Sequence, residues 1–339
     1  MSGPMKIIFS SLVFVLFFRL SSAQYSNLVF EGAGIRGIAY GGVIEVLEKY
    51  KLIDSIKNVG GTSAGAITAL CISLGYTSAE LNALIYNTDF NKFNDGKYFF
   101  IGGLHRTNTR FGWYQGDDFV KWLEKIILDK AKNTDITFKE LHDKGYKDLY
   151  ITGTSLNRQK VIIFSRKSYP DMKVKDAVRI SMSIPLYFEG VFIDSTGKVY
   201  EKQNDKNSLD LVVDGGILAN FPITIFDSTS GRSPNEKRFE NMRTIGVRID
   251  SDEQIRQDTA SGSLAPVTIE NLNDYVAAMY ILIIENLNRQ QLTAKDWART
   301  ISVSSAGIGP KIKKLSIEQK DSLVKSGRKS AEEFLKKKK

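Results

Sequence analysis

Residues 58–70 read NVGGTSAGAITAL. Val59 closes a short β-rich run, Gly60 and Gly61 open a turn, and a helix of small residues starts at once. Gly61, Thr62, Ser63, Ala64 and Gly65 spell G-x-S-x-G. A serine caught between a strand and a helix at this spacing sits on a sharp, strained turn, and the residues two places to either side must be tiny for the chain to pass. The spacing therefore predicts a nucleophile elbow, with Ser63 at the N-terminus of a helix whose dipole favours negative charge on an attacking oxygen. Gly and Ser also cluster in ordinary turns, so the strand–turn–helix context carries this reading.

Outward from the elbow, β-rich runs alternate with amphipathic helical patterns, which predicts a parallel sheet covered on both faces. The expected strands are 27–31, 57–59, 148–155, 160–165, 209–213 and 243–248. The expected helices are 37–50, 64–74, 78–86, 116–129, 173–181, 271–288 and 317–337. Residues 87–116 are rich in Gly, Asn and aromatics and read as an irregular flap over a site. Residues 228–240 and 251–265 read as polar loops. No repeat or linker divides the chain.

Upstream lies LVFEGAGIRGIAYGG, residues 28–42, in which Gly32, Gly34 and Gly37 are spaced G-x-G-x-x-G. That spacing fits a dinucleotide-binding turn, and it equally fits a loop whose backbone N–H groups hold the oxyanion of an ester under attack. The dinucleotide reading needs an acidic residue ending a second strand ~20 positions on. Asp54 stands at that distance, but KYKLIDSIKN has no β-run leading to it.

A serine nucleophile needs a base. The chain has 2 histidines, His105 and His142, neither placed late in the chain as the Ser–Asp–His order of α/β-hydrolases requires. LDLVVDGGILANFPI offers another group: an apolar strand ends at Asp214, and Gly215 and Gly216 follow in a tight turn. Strand ends on one edge of an open sheet form a ligand crevice, so Asp214, Ser63 and the glycine loop are expected to converge. D-G-G is also ordinary turn composition.

The formal charge is +9 and 42% of residues are hydrophobic, a globular balance. Basic residues are scattered except in 311–314 and 336–339, and no nucleic-acid motif appears, so no nucleic-acid partner is expected. The single cysteine, Cys71, excludes an intrachain disulfide or cysteine-based metal site, and its apolar neighbours predict a buried thiol. No Asp/His cluster suggests a metal. Lys6, the apolar run IIFSSLVFVLFF and Ser21-Ser22-Ala23 predict a signal peptide over residues 1–23 and a secreted or periplasmic protein; a membrane anchor is the alternative.

Three stretches in order resemble the patatin-like phospholipase family: Gly32-Ala33-Gly34-Ile35-Arg36-Gly37, Gly61-Thr62-Ser63-Ala64-Gly65 and Asp214-Gly215-Gly216. SMSIPLYFEGV (181–191), ANFPI (219–223) and GIGPKIKKLS near the C-terminus also resemble it. The likeness covers nearly the whole chain after the signal peptide. It implies a three-layer α/β/α fold with a central, mostly parallel sheet, in one domain over 24–339 with a core at about 28–226 and a helical part to 337. It further implies a lipid acyl hydrolase without a cofactor, in which Ser63 is the nucleophile, Asp214 the proton acceptor, and Gly32, Ala33, Gly34, Ile35, Arg36 and Gly37 the oxyanion loop. The substrates implied are membrane phospholipids or other lipid esters. The aromatic flap at 97–114 and the basic surface read either as membrane-facing features for a peripheral contact or as ordinary structure. A patatin fold that only binds lipid or protein is the alternative, and a dinucleotide-dependent oxidoreductase a remoter one. The family often has three successive glycines where this chain has Ala33. A left-handed backbone there would cost an alanine about 1 kcal/mol. An aspartate at its ordinary pKa would be fully ionised and a weak base.

Overall fold

The computed structural model describes residues 25–96, 99–201, 208–231, 237–260, 262–287 and 289–338. The signal-peptide reading falls outside these residues. At the centre lies a sheet of nine strands. They are β1 (Asn27–Phe30), β2 (Asn58–Gly61), β3 (Asp148–Ser155), β4 (Lys160–Phe164), β5 (Val191–Ile193), β6 (Val199–Tyr200), β7 (Asp210–Asp214), β8 (Thr244–Asp250) and β9 (Thr300–Ser304). Their order is β9-β8-β1-β2-β3-β7-β5-β6, with β4 also on β3. The run β9-β8-β1-β2-β3 is parallel, and β4, β7, β5 and β6 add antiparallel. Every residue of β1 and β8 is buried. Strands buried throughout have layers on both faces, as the α/β/α expectation requires.

Two features of β3 set up the site. Along one edge it pairs throughout its second half with β4, Ile151 to Phe164 and Gly153 to Ile162. Its other edge is shared: β2 runs parallel beside the first half and stops at Gly61 opposite Ile151, and β7 runs antiparallel beside the second half and stops at Asp214 opposite Gly153. The two strands meet end to end, so the turns that follow Gly61 and Asp214 emerge side by side.

The helix Ala64–Ser73 packs on β1, β2 and β3 and buries Cys71, whose thiol burial pushes up to about 12. The C-terminal helix Ile317–Lys336 lies along Tyr40–Lys49, the helix that continues the glycine loop.

Three expectations need correction. The described residues of 87–116 form regular elements, a short 3-10 helix at Phe90–Phe93, a helix at Phe99–Arg110 and a strand at Gly112–Tyr114. The apolar face that the aromatic-rich sequence hid is the one packing Phe93 among Phe90, Phe119 and Trp122. The loop read at 251–265 contains the helix Asp252–Ala260, and that at 228–240 a two-stranded pair, Ser228–Thr229 with Arg238–Phe239. The strands β5, β6 and β9 carry no separate expectation from sequence. β9 reads TISVS, where Thr and Ser dilute the apolar signal of Ile301 and Val303.

The expected helix at 271–288 forms as Leu272–Tyr280, continued by a π-helix at Ile281–Asn286. Its apolar residues point outward: Leu272 is 76% exposed and Leu282 58%.

Candidate active site

Ser63 stands where β2 gives way to a helix, at φ 53° and ψ −121°. A positive φ in a residue with a side chain costs roughly 1–3 kcal/mol and persists only where neighbours over-determine it. Here the Ser63 N–H donates to Ser181 Oγ at 2.9 Å, and the Thr62 N–H to the Phe30 carbonyl at 3.2 Å. The Thr62 hydroxyl donates to the Ala219 carbonyl at 2.7 Å, so across the 2.6 Å contact with Thr152 Oγ1 it is Thr152 that donates. Gly65 answers the spacing argument, because a Cβ there would stand 2.5 Å from the carbonyl oxygens of both Phe30 and Glu31.

Asp214, brought alongside by β7, is only 2% exposed. Loss of water pushes its carboxyl up to about 7, against the opposing pull of the Gly216 N–H and the Ser63 hydroxyl. The Gly216 N–H donates to Asp214 Oδ1 at 2.7 Å. The Ser63 hydroxyl also has Met182 Sδ at 3.4 Å, a weak acceptor that leaves its proton available. The expectation of an ordinary carboxylate at this position is corrected: burial, which sequence spacing does not reveal, makes Asp214 a much stronger base.

The glycine loop crosses in front of both. After Ala33 the chain turns through a 3-10 helix, Gly34–Ala39, into the helix Tyr40–Lys49. Ala33 has φ −137° and Gly34 +55°. The left-handed conformation falls on the glycine, and Ala33 carries no strain. The N–H groups of Gly32, Ile35 and Arg36 are spent on the carbonyls of Asn220, Pro310 and Ala33. Those of Ala33, Gly34 and Ala64 have no protein acceptor among the described residues. Arg36 is buried, and its Nε donates to the Ala33 carbonyl at 3.1 Å, bracing the turn from behind. Gly37 faces the elbow, where a Cβ would meet that of Ala64 at 2.8 Å.

Ser63, Ala64, Gly34, Ile35 and Gly37 all line one cleft. Apart from Thr68 its remaining walls are apolar, including Ile67, Leu81, Leu84, Phe93, Trp122 and Ile312. Such a lining suits a hydrocarbon chain, with Ser63 in the same wall.

A sequence profile described as patatin-like phospholipase matches residues 28–227. The chain belongs to the patatin-like phospholipase family. At the level of the family it is a lipid hydrolase. It is 27% identical over 317 residues to uncharacterized protein R571 of Acanthamoeba polyphaga mimivirus, covering 93% of this chain and 95% of the relative. It is 29% identical over 216 residues to probable lipid hydrolase 463L of invertebrate iridescent virus 6, covering 61% and 65%. The crystal structure of VipD from Legionella pneumophila shares the fold, with a TM-score of 0.55 at 15% identity over 93% of this chain and 67% of that one.

This patatin-like phospholipase keeps both histidines away from Ser63. His142 is exposed and pairs at 2.9 Å with Asp148, the first residue of β3, at the end of the strand opposite the elbow. His105 is exposed on the Phe99–Arg110 helix. Asp54 lies in the helical turn Leu52–Ser55 and ends no strand, which removes the ribose-binding group of the dinucleotide reading. Sequence reasoning noted the SMSIP and ANFPI stretches only as supporting matches. From them come Ser181 and Met182, which touch Ser63, and Asn220, which touches the glycine loop.

Proposed function

We propose that the protein hydrolyses carboxylic esters of membrane lipids through an acyl intermediate on Ser63, with Asp214 as the base. Asp214 takes the hydroxyl proton as Ser63 Oγ attacks the ester carbonyl carbon, and the Ala33 and Gly34 N–H groups receive the oxyanion. The tetrahedral adduct collapses, the alcohol leaves with the proton from Asp214, and the acyl group stays on Ser63. Water then gives a proton to Asp214 and its oxygen attacks the acyl carbon. Collapse releases the fatty acid and returns the proton to Ser63. The observation that carries this reading is the meeting of β2 and β7 end to end on β3, which sets a strained serine that lines an apolar cleft beside a buried carboxylate. Treatment with a fluorophosphonate probe, together with an assay on phospholipid vesicles, tests it. Wild type is expected to label and to release fatty acid, and Ser63→Ala and Asp214→Asn to lose hydrolysis by at least ~10³-fold. Unchanged hydrolysis by both variants overturns the reading.

We also propose a different membrane contact from the aromatic flap. The segment 272–287 that carries the outward apolar residues packs by its inner side on the turn after Asp214, since a Cβ on Gly216 would meet Ile284 Cγ2 at 2.9 Å. A lipid surface resting on those outward residues lies beside the site.

A further inference from the structure

Asn220 ends the short helix Gly216–Ala219 that follows Asp214 and is only 3% exposed. It grips Gly32 twice. The Gly32 N–H donates to the Asn220 backbone carbonyl at 3.0 Å, and Asn220 Nδ2 donates to the Gly32 carbonyl at 3.0 Å. The fit leaves no room for a side chain at position 32, where a Cβ would stand 2.3 Å from Asn220 Oδ1. That oxygen is buried and has no hydrogen-bond partner among the described residues. A buried, unpaired carbonyl oxygen is a cost that an aliphatic side chain of similar volume would avoid. The nitrogen of the same amide is therefore the atom the site has use for.

The carbonyl it holds belongs to the peptide unit that joins Gly32 to Ala33. Because that unit is planar and trans, fixing the direction of the C=O fixes the direction of the Ala33 N–H at its other side. The Ala33 N–H is one of the donors with no protein acceptor among the described residues. Hydrogen bonds in a chain also polarise one another, so a donor on the carbonyl strengthens the N–H beyond it. We infer that Asn220 is a positioning residue for the oxyanion donor of Ala33, coupling the strand end that carries Asp214 to the loop that receives the developing charge. This rests on the acyl-Ser63 reading above and adds to it a residue outside the three motifs.

A tie that merely holds two loops together would also weaken the enzyme if cut, so the test needs a readout specific to the oxyanion. Matched p-nitrophenyl oxoester and thionoester substrates provide one. Sulfur in place of the carbonyl oxygen is larger and a poorer hydrogen-bond acceptor, so an enzyme that depends on well-aimed donors turns over the thionoester more slowly than its oxygen twin. In Asn220→Ala, and in Asn220→Leu, which fills the volume without the donor, kcat for the oxoester is expected to fall roughly tenfold to a hundredfold with little change in KM. The oxoester-to-thionoester rate ratio should fall several-fold towards that of the uncatalysed pair. Equal losses on both substrates, leaving the ratio at its wild-type value, overturn the inference and make Asn220 a structural tie only. Rates unchanged in both variants overturn it as well. If wild-type enzyme gives neither a burst of p-nitrophenol nor fluorophosphonate labelling, the acyl-Ser63 reading itself fails and the inference falls with it.

Discussion

Removal from water outweighs the hydrogen bonds of Gly216 and Ser63 at Asp214, the base proposed for Ser63. A carboxyl pushed up to about 7 holds a proton more strongly than an exposed one, yet it accepts the serine proton only while ionised. The rate of Ser63 acylation is therefore expected to climb with pH, reach half its maximum near 7 and level off about one unit higher, as read by the p-nitrophenol burst in single turnover. A profile that is flat between about pH 5 and 9 would mean that this carboxyl does not gate the step. The same shift has a cost in stability. The folded pKa lies above the ordinary 3.8, so the group supports folding at low pH, and that support is lost as pH rises from about 4 through about 7. Above that range the buried carboxylate opposes folding by up to roughly 4 kcal/mol, from about three pKa units at 1.36 kcal/mol each. Asp214→Asn keeps an oxygen for the Gly216 N–H and removes the charge. It should melt several degrees higher than wild type at pH 8 and at nearly the same temperature at pH 4, as measured by thermal denaturation. An inactive variant that is also the more stable one marks a residue kept for reaction at the expense of the fold.

Behind the glycine loop, the ends of β1 and β8 are joined by charge. Arg248 is 1% exposed and lies 3.1 Å from Glu31 and 2.7 Å from Asp250. Arg289 pairs with Asp250 at 2.8 Å and also with Asp258. Phe221 and Trp297 each stand 5.3 Å from the Arg248 guanidinium. Burial would raise the Asp250 carboxyl, but the two guanidiniums outweigh it and hold it well below the ordinary range. Breaking a buried network at one member leaves the others uncompensated, at a cost of about 3–5 kcal/mol. Arg248→Met is expected to destabilise the fold by that amount in urea denaturation. A loss below 1 kcal/mol would show that the cluster is solvated in the working protein. None of this was legible in the sequence, because the partners lie on different elements and no local pattern joins Glu31 to Arg248. Ser63 was legible for the opposite reason. A strand, a turn and a helix within a dozen residues leave a local mark, and Gly61 and Gly65 carry it. Asp214 was legible only by elimination and through the strand before it. Its burial and the part played by Asn220 depend on β7 meeting β2 on the shared edge of β3, a non-local pairing that periodicity does not encode. The aromatic flap failed for a third reason: Phe90 and Phe93 pack on Phe119 and Trp122 of the next long helix, and Tyr114 on the distant Tyr187 and Phe188, contacts that composition alone does not reveal.

Over the whole molecule the basic residues are spread, and the net charge of +9 suggests an anionic partner. The surface beside the site differs. No Lys or Arg occurs from 257 to 288, while Glu270 and Asp274 do. Along the same stretch Leu272, Tyr275, Met279 and Leu282 recur at helical spacing on the solvent side. Burying one such leucine in lipid gains about 1.5–3 kcal/mol, whereas a carboxylate in its place opposes insertion. Binding through this face is therefore expected to depend on apolar area and hardly on lipid charge. Sedimentation with zwitterionic phosphatidylcholine vesicles should recover the protein as well as sedimentation with vesicles containing anionic lipid, and raised salt should change little. Leu272→Asp and Leu282→Asp should each weaken vesicle binding by roughly tenfold or more. Turnover of a soluble short-chain ester should stay at the wild-type rate, because neither residue lines the cleft that holds Ser63. Binding that follows anionic lipid content and disappears in salt would move the contact to the basic surface instead. A wild-type dimer in sedimentation velocity that both substitutions turn into monomer would assign the face to a second copy of the chain. Retained binding in both variants would restore the aromatic 97–114 segment as the place where lipid meets the enzyme.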